Sequence, residues 1–404
     1  MHIRPILSSM RRNKVGALLI ALQMAVTLAI LCNALFIINQ RLSLMARPSG
    51  LDEANIFVMR SDWIGKPEDP EARLQADLAA LRGMPGVIDA YAGNSFPLGI
   101  SGWLDGIDLV PDQKHSTVDA TLYMVDEHGL DTLGVKLIAG RNFTANEVGN
   151  YNYGDQPGQP TVIITKAVAD KLFPGAAALG KTVYVEGHQA TIIGILDRLQ
   201  TPWVSGSDTL KVVENSLLMP LRPLLPSMRI VVRTRPGQNA AVMKQAEQVL
   251  LQVNRARVLT LVKPFSQIRA EAYRDDRGLA IILGVVCIAL LVVTVFGIVG
   301  LTSFWVTQRR RQIGVRRALG ATRGAILRYF QTENVLIAGA GVTIGVALAI
   351  GLNLWMVTAF EMARLNPVYV FGGAVAIVLL GQFAVLWPAL RAASIPPALA
   401  TRAA

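Results

Sequence analysis

Four long stretches without a charged side chain divide this sequence, and they constrain its fold more than any other feature. They cover residues 15–38, 278–307, 334–357 and 368–388. An α-helix rises about 1.5 Å per residue, so about 20 residues cross the ~30 Å hydrocarbon core of a bilayer. Each stretch reaches that length. The sequence therefore predicts a membrane protein whose α-helical transmembrane domain has four spans.

The first stretch has an alternative interpretation as a cleaved signal peptide. The apolar part of a signal peptide is shorter, about 7–15 residues, and a small-x-small cleavage site follows it. Residues 37–40 (Ile-Ile-Asn-Gln) offer no such site, and Leu31 before Cys32 is a poor match to the small residue expected before a lipidated cysteine. We therefore expect a retained span. Cys32 and Cys287 both lie in apolar stretches, where a thiol behaves as a small hydrophobic group.

The net charge of +11 is concentrated in short flanks of the apolar stretches. Residues 39–277 are nearly neutral, with 25 basic and 26 acidic side chains. Residues 1–14, 308–333 and 390–404 together carry thirteen basic residues and a single acid. Loops rich in Lys and Arg stay on the cytoplasmic side, and four spans place all three flanks there. A nucleic-acid-binding domain would spread its arginines over a soluble face, so this pattern excludes that class.

Spans and charges together predict nine segments. These are a cytoplasmic N-terminus (1–14), transmembrane helix 1 (15–38), an extracytoplasmic domain (39–277), transmembrane helix 2 (278–307), a cytoplasmic segment (308–333), transmembrane helix 3 (334–357), a short outer loop (358–367), transmembrane helix 4 (368–388) and a cytoplasmic tail (389–404). Both termini then lie inside, and the large domain lies outside between the first two spans.

Residues 308–333, the basic segment, carry seven arginines and no acid before Glu333. Apolar residues recur among the arginines at helical spacing, and Gly320 interrupts the run. We expect a short basic helix, a break near Gly320 and a second helix that continues into the third span. An ordinary cytoplasmic loop needs only charge, whereas apolar groups at helical spacing suit a helix that docks in a partner's groove. Composition alone leaves both interpretations open.

The sequence RQIGVRRALGATRGAIL in this segment resembles the cytoplasmic coupling segment of the MacB/FtsX-like permease family of ABC transporters. In that family a short helix punctuated by glycine contacts the nucleotide-binding subunit. The resemblance implies a role in ATPase coupling for Arg311, Ile313, Gly314, Arg316, Arg317, Ala318, Leu319, Gly320, Ala321 and Glu333. ATP and Mg would be bound by the partner ATPase, and no cofactor is expected in this chain.

The region between the first two spans predicts an α+β domain. Strand candidates at 56–59, 87–91, 228–234 and 258–262 flank helix candidates at 68–82 and 239–254. Two strand–helix–strand units thus lie at the two ends of one region. This arrangement predicts a split α+β subdomain with an insertion between its halves.

The insertion, roughly residues 98–218, is predicted to be rich in β-structure. Strand candidates are 161–164, 182–185 and 190–196, with a short helix at 167–173. Four motifs in this part of the chain, GRNF, LFP, GKTV and IIGI, resemble in order and spacing those of the MacB-like periplasmic core domain. The pair Gly180-Lys181 does not predict a phosphate-binding loop, because Thr182 begins a strand pattern instead of a helix.

A stripe of small residues in the third span predicts close helix packing. Gly341, Gly345 and Ala349 recur at every fourth residue, which lets a neighbouring helix approach closely. That neighbour can belong to the same chain or to a second permease copy. Two polar loops, 151–160 and 201–208, are candidates for contact with a partner or substrate.

The sequence shows no catalytic or metal-binding pattern. Its histidines are scattered without ligand spacing: His2, His115, His128 and His188. We interpret Asp275 and Asp276 as solvated residues at the start of the second span. No complete Walker motif is present, so the chain is not expected to be an enzyme, and energy would come from a separate ATPase.

The resemblance implies a permease subunit of a bacterial inner membrane. It would couple ATP hydrolysis by two copies of a cytoplasmic ATPase to motion of a periplasmic domain, and to export or efflux of a substrate. Four spans are too few to enclose a wide polar channel, so a second permease chain, identical or different, is expected. A periplasmic adaptor and an outer-membrane channel stay open, as do the substrate and the direction of movement.

Two other classes remain open. An FtsX-like regulatory or sensing protein would control an envelope hydrolase or a sensor kinase without transporting cargo. A membrane-anchored binding protein would need no ATPase at all.

Overall fold

A computed structural model describes residues 14–111, 113–155, 158–204 and 211–394. The chain separates into two compact units. The helical unit consists of the residues up to Met45 together with those from Asp276 onward, and the β-rich unit is Ala46–Asp275. The predicted cytoplasmic N-terminus, most of the predicted tail and parts of the two polar loops lie outside the described residues.

The described residues contain ten α-helices and twelve strands. The helices are α1 (Lys14–Met45), α2 (Pro70–Arg82), α3 (Gly129–Leu133), α4 (Lys166–Leu172), α5 (Asn239–Val253), α6 (Phe265–Ala272), α7 (Arg274–Gln308), α8 (Arg310–Ala318), α9 (Arg323–Phe360) and α10 (Pro367–Ala393). The strands are β1 (Ile56–Trp63), β2 (Val87–Gly93), β3 (Trp103–Asp108), β4 (Val118–Val125), β5 (Leu137–Gly140), β6 (Gly149–Tyr151), β7 (Thr161–Thr165), β8 (Thr182–Val185), β9 (His188–Leu196), β10 (Ser216–Pro223), β11 (Ser227–Thr234) and β12 (Arg257–Pro264).

Four of the described helices, α1, α7, α9 and α10, are long and apolar enough to cross a membrane. Each contains one predicted span and continues beyond it through polar residues. The side chain of Thr322 caps α9 by accepting a hydrogen bond from the backbone of Ala325. Asn366 caps α10 in the same way, and Pro367 occupies its first turn. The connection between these two helices is therefore residues 361–366, shorter than the predicted loop.

Helix α1 is the most enclosed of the four long helices. Half of its most apolar stretch is buried, against 11% for α7. Thr27 shares a hydrogen bond of 2.8 Å with Thr294 of α7, and Asn33 donates one of 3.1 Å to the carbonyl of Ala349 in α9. Polar side chains link membrane helices in this way because lipid offers them no other partner. The exposed apolar surface of α7 suits contact with lipid.

The strands predicted at the two ends of the large region pair in one sheet. Its order is β12-β1-β11-β2, and all neighbours are antiparallel. Leu74 and Leu78 of α2, together with Val242 and Leu250 of α5, pack into one core against this sheet. The apolar residues at helical spacing in both segments are therefore the ones that become buried. The two ends of the region form a split α+β subdomain.

The insertion forms a second, mixed sheet of eight strands. Its order is β4-β3-β8-β9-β7-β10-β6, with β5 beside β9. Strand β10 pairs in parallel with β4 and antiparallel with β7. Helix α4 packs against this sheet through Val168 and Leu172. Gly180 and Lys181 precede strand β8, so this pair lacks the helix that a phosphate-binding loop requires.

The pair Asp275-Asp276 departs from the sequence expectation at one residue. Asp275 is exposed, but Asp276 is buried and accepts a hydrogen bond of 2.7 Å from Arg41. The interpretation of Asp276 as a solvated residue is therefore wrong. Arg41 lies 235 residues earlier in the chain, on α1, so no local pattern could indicate the ion pair.

Candidate functional site

The basic segment folds into a helix, a tight turn and the first turns of a second helix. Helix α8 ends at Ala318, and the backbone N–H groups of Gly320 and Ala321 donate to the carbonyls of Arg317 and Arg316. Gly320 has a φ of +96°, a left-handed conformation that glycine adopts without steric cost. This is the helix, break and second helix that the sequence predicted.

The residues singled out in α8 and in the turn that follows it divide between buried and exposed positions. Ile313 and Gly314 are buried, and Ile313 packs in the core of the helical unit. The exposed members are Arg311, Arg316, Ala318, Leu319 and Gly320. Leu319 is 83% exposed at the tip of the turn, beyond the last residue of α8. A large apolar side chain in that position is available to a partner.

A cavity of about 370 Å³ lies between α8 and the start of α9. Its apolar lining includes Ile313, Ile326 and Phe330, all of which are buried. Arg316 and Arg328 contribute positive charge to the same lining. The result is an apolar groove with a basic rim, which we call the elbow groove.

Aromatic and backbone contacts hold the arginines of α8 in different ways. The guanidinium of Arg316 lies 5.1 Å from the ring centroid of Tyr329, within cation–π range. Arg317 instead donates a hydrogen bond of 3.0 Å to the carbonyl of Ala393, near the end of α10. Arg316 therefore faces the groove, while Arg317 ties α8 to the helical bundle.

Glu333 lies apart from the other residues of the predicted set. It is buried on α9, and its carboxylate accepts hydrogen bonds of 3.0 and 3.1 Å from Arg309. Arg309 also lies 5.9 Å from the ring centroid of Trp305. Glu333 thus links α9 to the residue that connects α7 with α8. The sequence analysis did not single out Arg309, because its partner lies 24 residues away.

The predicted packing stripe faces α1 of the same chain. A Cβ added at Gly341 would lie 2.8 Å from the carbonyl oxygen of Ala21. One added at Gly345 would lie 3.0 Å from the backbone of Ala25. Ala349 is buried beside them. The stripe is therefore used for packing within the helical unit.

The described residues contain no group of three or more His, Cys, Asp or Glu side chains that could hold a metal ion. Several ionisable groups in the β-rich unit form ion pairs. The pKa of Glu147 is lowered to about 2 by its hydrogen bonds with Arg141. The pKa of Asp105 is raised to about 7, first by burial and then by neighbouring Glu186.

Comparison with known families places this architecture in a defined class. Residues 19–249 match the MacB-like periplasmic core domain, and residues 284–397 match the FtsX-like permease C-terminal domain. The fold is that of a membrane permease with a large extracytoplasmic domain between its first two spans. The chain belongs to the MacB/FtsX family of ABC transporter permeases.

Individual relatives have between a quarter and a third of their aligned residues in common with this chain. The macrolide export ATP-binding/permease protein MacB of Neisseria gonorrhoeae is 27% identical over 289 residues, which are 70% of this chain and 44% of that protein. The chain thus spans less than half the length of this relative. The uncharacterized ABC transporter permease YknZ of Bacillus subtilis is 25% identical over 336 residues, 81% of this chain and 78% of that protein.

Two solved structures with similarity to this chain are extracytoplasmic domains. The match to the extracellular domain of YknZ covers 50% of this chain and 99% of that domain's chain, at 19% identity and a TM-score of 0.32. The periplasmic region of MacB from Actinobacillus actinomycetemcomitans covers 56% and 96%, at 17% identity and a TM-score of 0.33.

Proposed function

We propose that the basic segment docks on a separate cytoplasmic ABC ATPase, and that the helical unit transmits the ATPase's motion to the β-rich unit during export of a substrate. The elbow groove is the observation that carries this proposal. It combines an apolar lining with a basic rim, next to an exposed leucine. A helix that only linked two spans would need none of these features.

The chemistry of the groove defines the partner surface that would fit it. The one acid of the basic segment, Glu333, is buried and pairs with Arg309, a third arginine of the groove lining, and it forms no ion pair with Arg316 or Arg328. Acidic side chains of the ATPase would pair with Arg316 and Arg328, and an apolar pocket would receive Leu319. Apolar anchors supply most of the energy of an interface, while complementary charges fix its orientation and speed its formation.

Two polar contacts would transmit a displacement of α8 to the other helices of the helical unit. Arg317 binds the end of α10, and Arg309, which precedes α8, forms an ion pair with Glu333 of α9. Helix α7 runs without interruption over 35 residues. At about 1.5 Å per residue it measures roughly 50 Å, well beyond the ~30 Å hydrocarbon core. One continuous helix therefore leads from the last residues of the β-rich unit, Arg274 and Asp275, to the basic segment.

In this proposal the protein lies in a bacterial inner membrane, with both termini in the cytoplasm and the β-rich unit in the periplasm. Two ATPase copies would act on two permease chains. The similarity to a macrolide exporter supports export as the direction of movement, although that relative is more than twice as long as the matched region.

Cysteine labelling tests the orientation. With Cys32 and Cys287 replaced by serine, a single cysteine is introduced as Leu319→Cys or as Tyr153→Cys, a position 90% exposed in the β-rich unit. A membrane-impermeant maleimide added to spheroplasts should label the Tyr153→Cys variant at once and the Leu319→Cys variant only after permeabilisation. Labelling of both from the outside would refute cytoplasmic docking.

ATPase assays test the docking surface. The ATPase that copurifies with the chain is titrated against the wild type and against Leu319→Asp and Arg316→Glu variants. Removing an interface anchor costs at least ~2 kcal/mol, so we expect about a thirtyfold loss of affinity. Arg235→Glu, an exposed arginine of the β-rich unit, is the matched control and should bind normally. Undiminished affinity in both groove variants would show that the ATPase binds elsewhere.

A further inference from the structure

A second cavity lies at the opposite end of the helical unit from the elbow groove. It has a volume of about 490 Å³, lies between the end of α9 and the start of α10, and is lined mainly by apolar side chains. Ligand pockets commonly measure about 300–1,000 Å³. Two of its lining residues, Asn353 and Arg364, are polar. We call this cavity the outer groove.

Asn353 is buried with half of its amide group unsatisfied. Its side chain is 4% exposed, and its Oδ1 accepts a hydrogen bond of 2.9 Å from the backbone of Leu365. Its Nδ2 has no hydrogen-bond partner among the described residues. A donor buried beside an apolar cavity is costly to leave unpaired, so it points to a ligand that brings an acceptor.

Arg364 adds a cation at the mouth of the same groove. Its side chain is exposed, and it forms no ion pair with the described residues. Leu365 follows it directly and bonds to Asn353, so the cation and the unsatisfied amide belong to one short piece of structure. The groove therefore offers two donors at one end and an apolar surface beyond them.

Neighbouring side chains place the groove at the boundary between lipid and water. Leu354 and Phe371 line it and are exposed, as expected for residues that face acyl chains. Trp355 packs edge-on against Phe360 in the last turns of α9, and tryptophan is enriched at membrane interfaces. Tyr369 of α10 packs against Phe36 in the second half of α1. This is the end of the bundle at which α1 leaves for the β-rich unit.

We propose that the outer groove binds a phospholipid of the extracytoplasmic leaflet. The lipid phosphate pairs with Arg364, an ester carbonyl below it accepts from Nδ2 of Asn353, and an acyl chain lies along Ile350, Leu354 and Phe371. A phospholipid satisfies all three features at once: an anion for the unpaired cation, an acceptor one step deeper, and an apolar tail. A helix from a second chain would cover the apolar surface but leave Arg364 unneutralised.

Native mass spectrometry of the full chain tests the proposal. The delipidated wild type and an Arg364→Ala variant are titrated with palmitoyl-oleoyl phosphatidylglycerol. Loss of a charge-assisted hydrogen bond should weaken binding of the first lipid about tenfold. Because Arg364 is exposed on a connecting loop, its replacement does not disturb the bundle. Arg391→Ala, an exposed arginine of the same helix pair at the other end, is the matched control and should bind like the wild type.

A second variant and a second readout separate the possible occupants. Asn353→Leu removes the unsatisfied donor and should also weaken phosphatidylglycerol binding. Equal lipid affinity for the wild type and Arg364→Ala would overturn the proposal. So would a shift from dimer to monomer in Arg364→Ala at unchanged lipid occupancy, since the groove would then belong to an interface between two copies of the chain.

Discussion

The packing of α1 against α9 predicts that replacing two glycines of α9 by alanine has different effects on the stability of the helical unit. Gly341 faces α1, and a Cβ at this position would lie 2.8 Å from the carbonyl oxygen of Ala21 and 3.1 Å from the Cβ of Met24. Gly339 is only two residues away, yet a Cβ there would meet no atom of the described residues within 4 Å. We therefore compare Gly341→Ala with Gly339→Ala.

The expected difference follows from these distances. In a helix interior alanine is about 0.8–1.0 kcal/mol more favourable than glycine. Both substitutions receive this contribution, so it cancels when the two variants are compared. Only Gly341→Ala also forces extra volume into a packed interface, which typically costs about 1–3 kcal/mol. We expect the helical unit of Gly341→Ala to be less stable than that of Gly339→Ala by this amount.

The thiol of Cys32 reports the stability of the helical unit. Cys32 is fully buried on α1, so it reacts with a maleimide only when the bundle opens. In a Cys287→Ala background, the labelling rate of detergent-purified protein follows the population of the open form. A difference of about 1–3 kcal/mol corresponds to labelling about 5 to 150 times faster in Gly341→Ala than in Gly339→Ala.

Equal labelling rates in the two variants, or slower labelling in Gly341→Ala, would refute the reasoning. Either result would mean that α1 and α9 do not approach closely at this point, or that the interface yields without cost. Gly351→Ala is a further control, because a Cβ at this position would also meet nothing within 4 Å.

Three further predictions concern ionisable groups that are wholly or partly buried. Asp77 accepts hydrogen bonds of 2.6 and 2.8 Å from the fully buried Arg257. Asp77→Ala leaves this arginine without its ion-pair partner and should lower the free energy of unfolding of the β-rich unit, measured in denaturant titrations, by about 3–5 kcal/mol. The pKa of Asp105 is raised from 3.8 to about 7, so the folded state binds this proton more tightly than the unfolded state. The free energy of unfolding should therefore fall as the pH rises from about 4 to about 7. Asp105→Asn should reduce this pH dependence in thermal scans. Glu333→Ala leaves Arg309 unpaired and should speed tryptic cleavage at the arginines of α8.

Each of these predictions has an internal control. The double variant Asp77→Leu/Arg257→Met should recover most of the lost stability, because no charge is left unpaired. Asp275→Asn, at an exposed position, should leave the pH slope unchanged. Glu361→Ala, also exposed, should leave tryptic cleavage of α8 unchanged. A pH slope identical in wild type and Asp105→Asn would assign the titration to another group.

Local patterns predicted the long helices and seven of the twelve described strands, but not the pairing of the strands. The four apolar stretches have the length and composition of the helices that they form, and the strands around α2 and α5 have the residue pattern of β-strands. Strands β3 to β6 and β10 were not among the candidates; β10 contains Pro220 and Pro223, which are unfavourable in an interior strand, yet it pairs on both sides. Its place beside β4 and β7 depends on contacts across the whole insertion, which no window of sequence contains.

The same division holds for the basic segment. The break at Gly320 was predictable, since a glycine within a helical pattern marks a turn. The separate roles of Arg316 and Arg317 were not, because adjacent residues of one helix point in different directions, and only the fold shows that Arg317 reaches Ala393. Glu333 was grouped with the surface residues on family resemblance, and its burial against Arg309 became visible only in three dimensions.

The enclosed position of α1 has a consequence for biogenesis. This helix is synthesised before α9, and the carbonyl of Ala349 that Asn33 binds follows 316 residues later. Until then α1 lies in lipid with only the Asn33 hydrogen bond to the carbonyl of Ala29 in its own helix, while the β-rich unit is translocated and folds. Assembly of the helical unit is therefore a late event in synthesis. A chain that ends before α9 would still be held in the membrane by α1, but the surface of α1 that packs against α9 would be exposed to quality-control proteases.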